Sequence, residues 1–149
     1  MRGCETDWMS TFTTITGDRI TDDEALALYD SVGWTAYTRD PGALRRAIDN
    51  SSLVATARDE RGTLIGLARA VSDDTTICFL QDILVTPERQ GGGVGHALLT
   101  QVTSRYAHVR QTILITDNEP RQRSFYEAMG FVEGSEFSPE PLRMFALFR

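Results

Sequence analysis

Residues 90–95 read Gln-Gly-Gly-Gly-Val-Gly, between an apolar run and an apolar-periodic segment. Glycine is the most costly residue to order, by roughly 0.5–1 kcal/mol against alanine, so four within five positions imply something that must approach the backbone closely. A strand that feeds such a turn into a helix N-terminus builds an anion site. The first-turn amides have no helical acceptor there, and the helix dipole favours negative charge. Two common phosphate loops are excluded by residue type. The pattern Gly-x-x-x-x-Gly-Lys-Ser/Thr needs a lysine that is absent. The dinucleotide pattern Gly-x-Gly-x-x-Gly starts at Gly91 and Gly93 but meets His96 at its third glycine, and the strands before it read as hairpins instead of a βαβ unit.

The elements that must hold this loop follow from pattern. Ser10–Thr16 reads as a strand. Thr21 with Glu24 is a capping-box signature for a helix that runs to about Val32 and stops at Gly33. Asp40-Pro41 opens a second helix, with Leu44, Ala47 and Ile48 as its apolar face. Residues 53–58, 63–71 and 75–85 then read as three consecutive antiparallel strands. After the loop come a helix from about Gly93 to His108, a short buried-type strand over Gln111–Thr116, and a helix from about Glu119 to Met129. Phe131–Phe137 and Leu142–Phe148 are expected to close as a strand pair. The order β-α-α-β-β-β-α-β-α-β-β predicts an α/β fold of the α+β type, with one mixed, mainly antiparallel twisted sheet of about seven strands flanked by about four helices.

The hexapeptide Gln90-Gly91-Gly92-Gly93-Val94-Gly95, after a long strand and Val85-Thr86-Pro87-Glu88-Arg89, resembles the pyrophosphate loop of the GCN5-related N-acetyltransferases, the GNAT family. Downstream, Phe125-Tyr126-Glu127-Ala128-Met129-Gly130-Phe131 is similar to the Tyr-x-x-x-Gly-Phe segment on that family's last helix. The resemblance covers about residues 50–135. It implies a sheet splayed between the fourth and fifth strands, with acetyl-coenzyme A as cosubstrate. Gln90, Gly91, Gly92, Gly93, Val94, Gly95 and His96 would lie at its pyrophosphate. Ile83, Leu84 and Val85 would lie along its pantetheine, where the family's strand bulges away from its neighbour. The reaction implied is direct acetyl transfer to an amine in a ternary complex. The backbone amide of Leu84, or of Ile83 or Val85, would serve the oxyanion. Tyr126 would return a proton to the thiolate, as a phenol that stays protonated at neutral pH. Asp82 is the candidate base, directly or through water, with a structural acceptor role as the competing reading; Gln81 stands where related sequences carry an acid. Asn118 stands one residue further from the tyrosine than the family's asparagine, as a cofactor ligand or a helix cap. Arg121 and Arg123 are candidates for the cofactor's 3′-phosphate or for a solvated helix face.

The segment joining the first two helices, Tyr29-Asp30-Ser31-Val32-Gly33-Trp34-Thr35-Ala36-Tyr37, carries more aromatic side chains than a surface connection usually does. It resembles the family's acceptor wall. Trp34 and Tyr37 would pack an apolar or cationic acceptor and Asp30 would pair with an amine, with Tyr29 beside them. The acceptor expected is a primary amine of a small molecule. A protein amine, or a non-catalytic acyl-coenzyme A sensor or interaction protein of the same fold, is the alternative.

The rest of the composition sets limits. The 149 residues suit one domain, 1–149. Net charge of −6 argues against a nucleic-acid surface and allows a cationic acceptor. Cys4 and Cys78 form no CxxC, no spacing suggests a metal site, and Cys78 in its apolar strand reads as inert packing. No stretch approaches the ~20 apolar residues of a spanning helix, and Glu5 and Asp7 interrupt any leader-like start. A cytoplasmic protein with no membrane partner is expected, with a homodimer possible through a sheet edge.

Overall fold

The computed structural model describes residues 11–149. Ser10, at the expected start of the first strand, and Cys4, Glu5 and Asp7 lie outside the described residues. The chain divides into two compact units, Met1–Leu114 and Ile115–Arg149.

In the first unit, strand β1 (Phe12–Thr16) is followed by α1 (Asp22–Ser31), a short α2 (Thr35–Thr38) and α3 (Pro41–Asp49). Then come β2 (Leu53–Asp59), β3 (Leu64–Ser72), β4 (Ile77–Val85), a 3-10 turn (Pro87–Arg89), α4 (Val94–Arg105) and β5 (Gln111–Leu114). Local chemistry sets the helix starts. The Thr21 hydroxyl accepts from the Glu24 amide while Glu24 accepts from the Thr21 amide, a complete capping box. Asp40 accepts from the Ala43 amide ahead of Pro41 in the first turn of α3. The α2 turn is an addition to the expected elements, closed by the Arg39 amide on the Thr35 carbonyl.

The sheet has the order β1-β2-β3-β4-β5, with three antiparallel pairings and a parallel one between β4 and β5. Directly opposed residues share a face, so Val54, Arg69 and Asp82 lie on one side with Thr56, Leu67 and Leu84. That side carries the core with Ile20, Leu28 and Tyr29 of the α1 region and Leu44 and Ile48 of α3. α4 packs on the other side. A β-carbon at Gly66 would stand 3.0 Å from both Val94 Cγ1 and Leu98 Cδ1, so a larger residue would force those α4 side chains to give way.

One irregularity in β4 controls the site. Asp82 opposes Arg69, but Leu80 opposes Ala70, which leaves Gln81 as an extra residue in a β-bulge. Leu80 therefore shares the face of Ala70, while Asp82 shares the opposite face with Arg69. The alternating burial of Cys78, Leu80, Asp82 and Leu84 runs on undisturbed through this reversal.

The second unit holds α5 (Pro120–Ala128) and a 3-10 turn (Gly134–Glu136). The expected strand pair over Phe131–Phe137 and Leu142–Phe148 is absent among the described residues. Physical reasons are local. Arg123 places its three guanidinium nitrogens on Glu127, Glu133 and Glu136, at 2.6, 2.6 and 2.7 Å, which folds residues 133–136 as a turn on α5. Pro139 and Pro141 have no amide for a ladder, and the Leu142 amide is taken by the Gly134 carbonyl at 2.7 Å. The assigned sheet thus has five strands where about seven were expected.

Candidate active site

The site begins where β4 loses its second neighbour. Pairing with β5 covers Ile77 to Leu80 and ends there, so, among the described residues, positions 81–85 have β3 on one side and no paired strand on the other, an open ladder edge. This is the expected splay between the fourth and fifth strands. The bulge, however, lies at Gln81, ahead of the 83–85 positions where it was expected.

Ladder phase decides which amides face that edge. The Thr86 amide donates to the Ile65 carbonyl at 2.8 Å, which makes Thr86 and Ile65 a hydrogen-bonded pair. Antiparallel pairs alternate, so Leu84 opposite Leu67 is bonded to β3 as well, and its carbonyl lies 3.3 Å from where a Gly66 β-carbon would be. The main-chain groups of Ile83 and Val85 point the other way. Consistently, the Val85 carbonyl accepts from Gln90 Nε2 at 3.0 Å, a bond outside the ladder. The amide expected at Leu84 is thus turned into the sheet, and the edge amides belong to Ile83 and Val85.

The strand leads through the Pro87–Arg89 turn into the glycine loop. Gly91 and Gly93 hold φ of 80° and 88°, left-handed values that L side chains rarely adopt. A β-carbon at either would meet nothing within 4 Å, so the loop is open on that side. The first α4 bond runs from the Ala97 amide to the Gly93 carbonyl at 3.0 Å, which leaves the amides of Val94, Gly95 and His96 ahead of the first helical acceptor. Glycines, open space and first-turn amides fit a phosphate of acetyl-coenzyme A. The Val94 side chain, first in α4, is buried against the sheet at Gly66, whereas the His96 side chain is exposed and its carbonyl accepts from the Thr100 hydroxyl.

Asp82 sits at the centre of a polar cluster, 3% exposed. Its Oδ2 accepts from Arg69 Nε and from the Tyr29 hydroxyl at 2.9 Å; its Oδ1 accepts from the Tyr37 hydroxyl at 2.8 Å. Gln81 Nε2 donates to the Tyr37 oxygen at 3.1 Å. Burial, with the Asp82 charge in support, pushes the Tyr29 and Tyr37 phenols up. Burial opposes the Arg69 charge, but Asp82 beside it keeps the guanidinium above its ordinary value. Asp82 therefore has the surroundings of a structural anion paired to Arg69, the competing reading of this residue.

The aromatic wall forms around this cluster. The Tyr29 ring meets Trp34 and Tyr37 edge-on, at 5.9 and 5.1 Å between centroids. Trp34 and Tyr37 lie 6.0 Å apart, and Arg69 stands 5.8 Å from the Tyr37 centroid. Tyr29 is fully buried and stands behind the wall, while Trp34 and Tyr37 are half-buried and remain at its surface. The Asp30 side chain is exposed and has no part in the cluster; its carbonyl accepts from the Gly33 amide.

In the second unit, Tyr126 is 7% exposed, with Phe125 and Phe131 edge-on at 5.0 and 5.9 Å. Burial pushes its phenol up to about 12, partly offset by the Thr116 hydroxyl. The Asn118 side chain is exposed and does not cap α5, whose N-cap is Glu119. Arg123 is engaged by three carboxylates, Glu127, Glu133 and Glu136, in keeping with a solvated helix face. Cys78 is fully buried, and burial raises its thiol. Among the described residues no three His, Cys, Asp or Glu side chains are grouped to hold a metal, and no helix is long and apolar enough to cross a membrane.

Three functional features escaped the sequence reading. A charged Arg69 inside the apolar run Leu64–Val71 was a visible sign of a buried partner. Gly66 in the same run signalled close approach. The bulge at Gln81 left no mark in the apolar alternation.

Comparison with known proteins agrees with this geometry. An acetyltransferase (GNAT) domain family matches residues 49–133. The uncharacterized N-acetyltransferase ycf52 of Gracilaria tenuistipitata var. liui is 34% identical over 70% of this chain and 58% of its own length. The histone acetyltransferase TAP1 of Glycine max is 33% identical over 78% of this chain and 52% of its own. Serotonin N-acetyltransferase 2, chloroplastic, of Oryza sativa subsp. japonica is 28% identical over 74% and 55%. The chain therefore spans little more than half the length of these relatives. Among solved structures, the GNAT-family acetyltransferase SP0256 of Streptococcus pneumoniae superposes with a TM-score of 0.76 at 26% identity, over 91% of this chain and 98% of that one. With its glycine loop, its open strand edge and the match over residues 49–133, the chain belongs to the GNAT acetyltransferase family.

Proposed function

We propose that the protein transfers the acetyl group of acetyl-coenzyme A directly to a primary amine of a small molecule. The observation that carries this reading is the continuity of the open edge of β4, residues 81–85, with the glycine loop and the first-turn amides of α4. Gln90, Gly91, Gly92, Gly93, Val94, Gly95 and His96 would hold the pyrophosphate through their backbone, and Ile83, Leu84 and Val85 would flank the pantetheine. The cosubstrate supplies an activated thioester. The amides of Ile83 and Val85 offer the donors along that edge, and developing negative charge on a carbonyl oxygen is what such donors stabilise. Tyr126, kept protonated by burial, is the proton donor.

Arg69 and two tyrosines already hold Asp82, which supports the structural reading of this residue over that of a base. Proton release from the amine is therefore assigned to water. This same pairing favours the second reading, an acyl-coenzyme A sensor of the same fold without turnover. Acceptors differ in kind between the named relatives, a histone acetyltransferase and a serotonin N-acetyltransferase, so a protein amine is a third arm of the test. Free-thiol release from acetyl-coenzyme A is measured across small amines and lysine-containing peptides. Release that depends on a small amine supports the proposal, and release only with peptides moves the acceptor to a protein. Cofactor binding without acceptor-dependent release supports the sensor, and no binding of acetyl-coenzyme A ends all three.

A further inference from the structure

We infer that Gln81 positions the acceptor amine, by presenting its Oε1 as a hydrogen-bond acceptor of fixed orientation at the foot of the open edge. The inference rests on the acetyl-transfer reading above. Its argument is a chain of hydrogen-bond polarity that starts in the core. Arg69 and Asp82 form a buried ion pair, so the carboxylate is an acceptor only. The Tyr37 hydroxyl has one proton, and Asp82 Oδ1 receives it at 2.8 Å. Toward any other group, Tyr37 can then only accept. Gln81 is that other group, at 3.1 Å, and it must therefore turn its NH2 prong to Tyr37. The carbonyl prong of the planar amide is left pointing away from Tyr37. Gln81 is exposed, as an extra residue in the bulge, so that oxygen is available to a ligand.

The position suits a nucleophile. Gln81 precedes Ile83 by two residues, about 7 Å along a strand, and its partner Tyr37 is half-buried, with its ring 6.0 Å from that of Trp34. A primary amine approaching there has an N–H to donate to Oε1 while its lone pair remains free. In the transfer, the nitrogen–carbon bond forms as the carbon–sulfur bond breaks. Sulfur takes the electron pair, and nitrogen releases its surplus proton to water, because an amide cannot take it. A neutral acceptor also leaves the amine's own basicity nearly unchanged, where a carboxylate at position 81 would hold it as the ammonium form. Tyr37 and Asp82 act through Gln81 and are positioning residues.

The experiment uses the full chain with 2-phenylethylamine as probe. Gln81→Met keeps length and removes the acceptor. It is expected to raise KM for the amine about three- to tenfold, the range of one lost hydrogen bond, with KM for acetyl-coenzyme A unchanged. In a Tyr37→Phe background, where the amide is free to rotate, the added effect of Gln81→Met shrinks to less than half. An amine KM indifferent to Gln81→Met, or full additivity of the two changes, overturns the inference while leaving acetyl transfer in place. Absence of any amine-dependent thiol release in the unsubstituted protein overturns the acetyl-transfer reading, and the inference with it. Independently of turnover, one Gln81 side-chain amide proton is expected to be shifted downfield and slow to exchange, and to lose both properties in Tyr37→Phe. Two ordinary, fast-exchanging protons in the unsubstituted protein refute the fixed orientation.

Discussion

Arg69 and Asp82 face each other directly across the β3–β4 ladder, next to the bulge at which β4 changes the side it presents. Were Gln81 paired regularly instead of bulged, it would oppose Arg69, and Asp82 would oppose Ala68 and share the α4 face with Leu80, leaving Arg69 no carboxylate opposite. Removal of one partner from a buried pair leaves an uncompensated charge, which costs about 3–5 kcal/mol. Asp82→Ala is therefore expected to lower unfolding free energy by that amount, measured by urea denaturation. Arg69→Met with Asp82→Leu should recover part of it, because no charge is then stranded. A stability change below about 1 kcal/mol in Asp82→Ala, with turnover abolished, would instead make Asp82 a catalytic base.

Gly66 and Gly93 act on the same helix in different ways, and alanine at each should separate seating from binding. At Gly66 the new β-carbon would lie 3.0 Å from Val94 and Leu98 side chains and 3.3 Å from the Leu84 carbonyl. Overpacking of this kind costs about 1–3 kcal/mol, and the displaced α4 should weaken cofactor binding as well. At Gly93 there is no neighbour within 4 Å, only a φ of 88°. Gly93→Ala should cost about 1–2 kcal/mol and reduce affinity for acetyl-coenzyme A without disturbing the core. Titration calorimetry and thermal melts on the two variants check this. Equal affinities in Gly93→Ala and the unsubstituted protein would remove the loop from the binding site.

Tyr126 gives the prediction for alkaline pH. Its phenol is raised from the ordinary value near 10 to about 12, chiefly by burial. The neutral form is the one the fold favours, so this contribution is complete below pH 10 and disappears as pH rises through 12. A rate that needs the Tyr126 proton should consequently show no loss assignable to this group up to about pH 11. Tyr126→Phe should lower kcat by about 10²-fold and leave the Kd for the cofactor within twofold. Unchanged kcat would exclude Tyr126 as the donor.

Legibility followed the range of the interactions. The capping box at Thr21 and Glu24, the Asp40-Pro41 start and the stop at Gly33 were readable because each is settled within four residues. The loop over 90–95 was readable because glycine at left-handed positions is a local demand. The identity of the edge amides was not. It depends on ladder phase relative to Ile65 and Leu67, about twenty residues away in the chain, and no periodicity reports it. The same holds for Tyr29, whose buried hydroxyl finds its acceptor 53 positions later. Phe131–Phe137 and Leu142–Phe148 had strand composition but no ladder among the described residues, since Arg123 holds the Glu133 and Glu136 carboxylates in a turn and two prolines lack a ladder amide. α2 was missed because four residues carry too little pattern.

Acid pH offers a last test, away from the site, on how α1 is held. Glu24 closes the capping box and also accepts from Arg58, at 2.7 Å. The Arg58 hydrogen bond first, then the Thr21 amide, lower its carboxyl from 4.5 to about 2. A carboxyl depressed in the fold contributes stability that is present above its unfolded value and lost as pH falls through the folded one. The group is partly exposed, so screening reduces the effect to about 1 kcal/mol. Glu24→Gln, which retains an acceptor for the Thr21 amide, should be about that much less stable than the unsubstituted protein at pH 7. The gap should narrow below pH 4.5 and close near pH 2. Guanidinium titrations at a series of pH values measure it, and a gap that persists undiminished at pH 2 would show that the charge of Glu24 is not what holds Arg58.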